Sequence, residues 1–185
     1  MKHIISGTNR PGSKSLQVAK IVQKLYADLG DEAEIIDLQE MDLHEVIGHY
    51  GDTAPDAMKA AIQKINKSEG LIVVVPEYNG SYPGALKYFI DHWSYPNSFE
   101  YRPVCFIGLG WTFGGLRPVE HLQGVFNYRN AFAYPERVFI INAPKLIVDG
   151  EITDARVMDL LRSQTDGFKK YCAALSVAKL TANER

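Results

Sequence analysis

Leu71-Ile72-Val73-Val74-Val75-Pro76-Glu77-Tyr78-Asn79-Gly80-Ser81-Tyr82-Pro83-Gly84-Ala85-Leu86-Lys87 joins a strand to a helix within one short stretch. Its first five residues are a continuous apolar, mostly β-branched run, the pattern of a strand buried on both faces of a parallel sheet. Pro76 and Gly80 turn the chain away from that strand, and Pro83 sits where the first residue of a helix belongs. Leu86, Phe89, Ile90 and Trp93 then recur at helical spacing as a buried stripe. Working outward, four similar apolar runs occupy residues 3–6, 34–38, 104–109 and 138–142. Helical patterns separate them. Val18, Ile21, Val22, Leu25 and Leu29 are stopped by Gly30, and Pro55 opens a segment carrying Met58, Ile62 and Ile65. A weaker helix spans residues 115–131 with Pro118 in its first turn. A last one starts near Thr153, with Val157, Leu160, Leu161, Phe168 and Leu175 facing inward.

Strand and helix thus alternate five times, which predicts a parallel α/β sheet with right-handed crossovers. Five strands favour a flavodoxin-like three-layer sandwich of order 2-1-3-4-5 over the six-stranded dinucleotide fold. No repeat or linker divides the chain, so residues 1–175 read as one domain and residues 176–185 as a polar tail. A formal charge of -2 gives no electrostatic case for nucleic acid or an anionic membrane surface. No apolar run approaches the ~18–20 residues of a membrane span. The N-terminus reads as a strand where a signal peptide would have a basic start and an apolar stretch, so the expected location is the cytoplasm. Cys105 and Cys172, without CxxC spacing, read as buried reduced thiols.

Ligands in such sheets bind at the carboxyl ends of the strands. The loop after the first strand is Gly7-Thr8-Asn9-Arg10-Pro11-Gly12-Ser13-Lys14-Ser15. It offers hydroxyls, one guanidinium and a helix N-terminus, the set a phosphate wants. One Ser would serve as a helix cap in any case. Gly7 and Gly12 have the spacing of a nucleoside-triphosphate loop, but Ser13 intervenes before Lys14. One extra helical residue swings the lysine round by ~100°. The Gly-x-Gly-x-x-Gly fingerprint is also missing here, so a lone phosphate monoester fits better than a triphosphate or a dinucleotide.

Residues 76–87 resemble the signature of the NADPH-dependent FMN reductase family, which includes quinone, chromate and azo-dye reductases. The first loop is similar to that family's phosphate loop, with Arg10, Ser13 and Ser15 matching and Thr8 where the family often has Ser. Gly108 to Arg117 is similar to its third flavin loop, ending in Gly-Gly-x-Arg. The resemblance implies non-covalent FMN. Its phosphate would lie on Thr8, Arg10, Ser13 and Ser15 beside Leu16, and its ring against Pro76, Glu77, Tyr78 and Asn79. Gly110, Trp111, Thr112 and Gly114 would close the site. It also implies NADPH or NADH as co-substrate and hydride transfer through the flavin to a small-molecule acceptor such as free flavin, a quinone or an azo compound. A homodimer or homotetramer is implied as well. The flavin carries the chemistry, so no catalytic side chain and no metal is expected. Trp111 departs from the family, whose members commonly have a small residue there. The alternative reading is a flavodoxin-type electron carrier or a redox-sensing flavin-binding protein.

One motif can be set aside. His44-Glu45-Val46-Ile47-Gly48-His49 is one residue too long for a zinc-protease helix, because a spacing of five separates the imidazoles by ~140°.

Overall fold

The computed structural model describes residues 1–184; Arg185, the end of the polar tail, lies outside the described residues. The chain runs β1 (Lys2–Ser6), α1 (Lys14–Asp28), β2 (Ala33–Asp37), a single helical turn α2 (Leu43–Val46), α3 (Asp56–Lys67) and β3 (Leu71–Pro76). It continues through α4 (Gly84–Asp91), β4 (Pro103–Leu109), α5 (Leu116–Tyr128), β5 (Phe132–Ala133) and β6 (Val138–Ile140). It ends with the short α6 (Ala143–Leu146), the hairpin β7 (Ile147–Val148) and β8 (Glu151–Ile152), and the long α7 (Ala155–Val177).

The sheet has the order β2-β1-β3-β4-β5, and every pairing in it is parallel. This is the flavodoxin-like order expected from the sequence. The fifth position differs in detail, because two short strands share the β4 edge. Phe132 and Ala133 pair with Pro103 and Val104, while Val138 to Ile140 pair with Ile107 to Leu109. Pro135 lies between the two pieces, and a proline has no N–H to give a ladder. Tyr134 there sends its ring against Phe168 of α7, where Gly167 leaves room for the phenol.

The strands alternate their side chains between two cores. Ile5, Val73, Val75, Val104 and Phe106 meet Met58, Ile65, Leu86, Phe89, Leu122 and Phe126 from α3, α4 and α5. Ile4, Ile72, Val74, Cys105 and Ile107 meet Val18, Val22, Leu161 and Phe168 from α1 and α7. Along α7, Val157, Leu161 and Phe168 are buried as expected, with one clear departure. Leu160 is exposed, and Gln164 is buried, donating to the carbonyls of Phe106 and Glu136 at 3.0 and 2.9 Å. After Val177 the chain turns back so that Thr181 is buried and Asn183 donates to the carbonyl of Ser68 at 3.4 Å. Among the described residues no helix is long and apolar enough to cross a membrane.

Because α1 covers one face after β1 and α4 the other after β3, the loops leaving these neighbouring strands diverge. That divergence opens a crevice at their carboxyl ends.

Candidate functional site

The crevice begins at Gly7, whose N–H bonds the Val74 carbonyl at 2.9 Å. A Cβ at Gly7 would sit 2.7 Å from that same oxygen, so only glycine lets the loop leave β1 pressed against β3. The loop then delivers its hydroxyls in two ways. Ser13 is the N-cap of α1 and accepts from the Leu16 N–H at 3.1 Å. Ser15 is buried, and its Oγ has no hydrogen-bond partner. A buried hydroxyl left unpaired is costly, and such an exception calls for a ligand or an explanation. Arg10 is exposed and makes no ion pair among the described residues.

Thr8 joins this loop to the next. Its Oγ1 accepts from the Arg10 backbone N–H at 3.3 Å and donates to the Tyr78 hydroxyl at 3.1 Å. Tyr78 belongs to a tight turn closed by reciprocal bonds with Ser81, with Asn79 and Gly80 at φ values of 50° and 78°. Two left-handed central residues are what a type I′ turn requires, and Asn-Gly supplies them at least cost. Helix α5 holds the turn from outside, where Ser81 Oγ meets His121 Nδ1 at 2.8 Å.

The third wall is the loop after β4. The Glu77 N–H bonds the Leu109 carbonyl at 2.9 Å, and the Gly110 N–H bonds Ile140 at 3.2 Å. Gly108 packs against the returning backbone so closely that a Cβ would lie 2.7 Å from the Gly115 carbonyl. Gly114 and Gly115 take φ values of 58° and 81° to make that return.

The three loops enclose one cavity of about 340 Å³. It brings together nine of the residues singled out in the sequence: Thr8, Arg10, Ser13, Ser15, Pro76, Glu77, Tyr78, Gly110 and Trp111. Leu16, Asn79, Thr112 and Gly114 do not line it. Leu16 is engaged through its N–H in the α1 cap, Asn79 forms the exposed tip of its turn, Thr112 is exposed, and Gly114 is buried against Ile141. Ala143 and Pro144 line the cavity and escaped the sequence reading. They open α6 directly after the fifth strand position, and a proline in a first helical turn was the available signal. Lys14 also lines it, but its ammonium is committed to the Ile147 carbonyl at 2.8 Å, as its displaced spacing implied.

One end of the cavity therefore carries an unpaired guanidinium, an unpaired hydroxyl and the first N–H groups of a 15-residue helix. Those are donors for a phosphate. The loops after β3 and β4 contribute Pro76, Glu77, Tyr78, Leu109, Gly110 and Trp111 to the lining, a set that suits a flat heteroaromatic ring. The remaining sequence candidates lie elsewhere. Helix α2 ends at Val46, so His44 and His49 do not share a helix, and among the described residues no acidic, Cys or His cluster could hold a metal ion. Cys105 and Cys172 are free and buried, and burial pushes both thiols up, Cys172 to about 12.

A sequence model of the NADPH-dependent FMN reductase family matches residues 3–145. An NAD(P)H:quinone oxidoreductase of Solanum tuberosum is 30% identical over 168 residues, covering 86% of each chain. An FMN-dependent NADPH-azoreductase of Staphylococcus aureus is 28% identical over 141 residues, covering 73% of each. Among solved structures, the flavoenzyme NAD(P)H:(acceptor) oxidoreductase FerB of Paracoccus denitrificans superposes with a TM-score of 0.72 at 24% identity, over 93% of this chain and 96% of that one.

Proposed function

The chain belongs to the NADPH-dependent FMN reductase family, and from that premise we propose how its crevice serves an NAD(P)H-dependent FMN oxidoreductase with quinone or azo acceptors. The observation that carries the assignment of the site is the buried, partnerless Ser15 hydroxyl beside the unpaired Arg10 at the start of α1. Ser15, Arg10 and the α1 N-terminus take the FMN phosphate, with Thr8 and Ser13 shaping the loop around it. Pro76, Glu77 and Tyr78 wall the ring system, and Gly110 and Trp111 border its outer side, while Asn79, Thr112 and Gly114 shape the two loops that carry them.

When bound, FMN would supply the two-electron redox chemistry that links the nicotinamide to the acceptor. The chain's own contribution is position and electrostatics. The Thr8–Tyr78 bond fixes the phosphate loop to the ring loop, and Gly7, Gly108 and Gly115 let the backbones of the walls pack closely together. No side chain is assigned a nucleophilic or general-base role.

The same reading includes a homodimer or homotetramer, supported by Tyr95 and Tyr128, which stand 61% and 77% exposed beside Arg129 on the α4–α5 side. It also includes the cytoplasm, where two buried, unpaired thiols stay reduced. The test is anaerobic spectroscopy of the purified protein. The flavin absorbance should bleach on adding NADPH or NADH and return on adding a quinone or azo compound. A protein that holds FMN tightly but is bleached by neither nicotinamide is an electron carrier, and the enzymatic reading then fails.

A further inference from the structure

Trp111 and Phe113 stand in an unusual position for large aromatic residues. Trp111 lines the cavity and is 58% exposed, and Phe113, two residues further along the same loop, is 50% exposed. The loop bearing them is pinned. The Trp111 carbonyl accepts from the Asn142 N–H at 2.8 Å, the Gly110 carbonyl from Ala143 at 3.0 Å, and the Phe113 carbonyl from Leu116 at 3.0 Å. Gly114 is wedged so that a Cβ would lie 2.9 Å from the Ile141 side chain. A loop tethered at both ends and in the middle holds its backbone in place beneath the exposed rings, which suits a contact surface.

Arg117 stands beside them. Its guanidinium lies 5.0 Å from the centre of the Phe113 ring, and its Nη1 passes over Gly80, 3.7 Å from where a Cβ would be. It makes no ion pair among the described residues, although Glu120 is three positions on. It is also the second residue of α5, where a cation opposes the helix dipole. An anion bound there would relieve both conditions. The acidic group on the cavity side, Glu77, is turned to Gly110, with its Oε2 3.1 Å from the Cβ position of that residue.

We propose that Trp111, Phe113 and Arg117 form a shelf for the exchanging reactant, selecting flat aromatic molecules that carry an anionic group: the ring covers the aromatic pair and the anion meets Arg117. The inference rests on the oxidoreductase reading of the adjoining cavity. Two reactants share this chemistry, a sulfonated or carboxylated acceptor and the phosphate-bearing NADPH.

Tryptophan fluorescence reads the shelf directly, since the second tryptophan, Trp93, is buried. Titrating the purified protein with naphthoquinone sulfonate should quench the exposed tryptophan, with the parent naphthoquinone about 5- to 10-fold weaker. Trp111→Phe should remove the response, and Arg117→Gln should erase the difference between the two quinones. On the FMN-loaded enzyme, kcat/KM is measured for sulfonated against parent quinone, and for NADPH against NADH. If Arg117→Gln lowers the first ratio, the anion belongs to the acceptor; if it lowers the second, it belongs to the dinucleotide. Either result supports the shelf. Unchanged ratios and unchanged quenching in an active Arg117→Gln protein would overturn it. A wild-type protein quenched by the sulfonate but oxidising neither nicotinamide would keep the shelf and sink the reductase reading.

Discussion

At the scale of single residues, two serines two positions apart do separable work. Ser13 caps α1, and Ser15 has a buried hydroxyl with nothing to bond. Ser13→Ala should therefore destabilise the FMN-free protein by about 1 kcal/mol, the cost of a lost cap. Ser15→Ala should leave the FMN-free protein as stable as the wild type and weaken FMN by about 5- to 10-fold. Chemical denaturation together with flavin titration separates the two, and equal destabilisation by both would mean that Ser15 is structural. Arg10→Ala should cost FMN affinity more, roughly 10- to 100-fold, because it removes a charge-assisted contact; unchanged affinity would place the phosphate elsewhere. The types and order of these residues were readable, because a phosphate demands them. Which serine was cap and which was free was not, since sequence shows two hydroxyls and the crowding around each comes from the fold. Ala143 and Pro144 were missed for the same reason: neither carries a chemical group, and only the position of α6 brings them to the cavity.

At the scale of elements, the continuous apolar runs placed the strands because parallel strands here are buried on both faces. The edge position read less well. Its two pieces are short, and the break at Pro135 is decided by how Tyr134 packs under α7. The sequence also gave no sign of the joint at the opposite end of the sheet from the site. Arg102 is buried there and donates Nη2 to the carbonyls of Asn66 and Asn97 at 2.9 and 2.8 Å, Nε to Ser98 at 3.2 Å, and Nη1 to Ser68. It ties the end of α3 to the segment entering β4. Burial lowers its pKa to about 10, which still leaves it charged at neutral pH. Arg102→Met keeps the apolar stem but removes the guanidinium's bonds to four carbonyls, of which Ser68 keeps only the longer contact from Asn183. The expected loss is about 3 kcal/mol, a fall of roughly 6–12 °C in Tm. A Tm within about 2 °C of wild type would mean that water replaces the guanidinium without penalty.

At the scale of the whole molecule, stability responds to pH through the same end of the sheet. His3 lies in β1, 3% exposed, and neither ring nitrogen has a hydrogen-bond partner. Burial lowers its pKa below 6.5. The nearby Glu34 carboxylate, 3.7 Å from Nε2, works in the opposite direction, while Lys64, the N-terminus and Arg102 add to the lowering. The folded protein therefore holds this imidazole neutral, whereas the unfolded chain takes up a proton once the pH falls to 6.5. The unfolded state then binds more protons, so stability is full above pH 6.5 and declines below it. The decline continues until the pH reaches the folded-state pKa. One such group contributes a slope of at most about 1.4 kcal/mol per pH unit. His3→Leu removes the titration while keeping an apolar side chain in the core. Urea unfolding of the FMN-free proteins at pH 7.5, 6.5 and 5.5 should show the wild type losing stability relative to His3→Leu across the lower interval and running parallel to it across the upper one. Measuring the FMN-free forms matters, because flavin binds only the folded state and would add a stabilisation of its own that varies with its affinity. Parallel behaviour over the whole range would show that His3 has the same proton affinity folded and unfolded, and that the acid sensitivity of the molecule lies with its carboxylates.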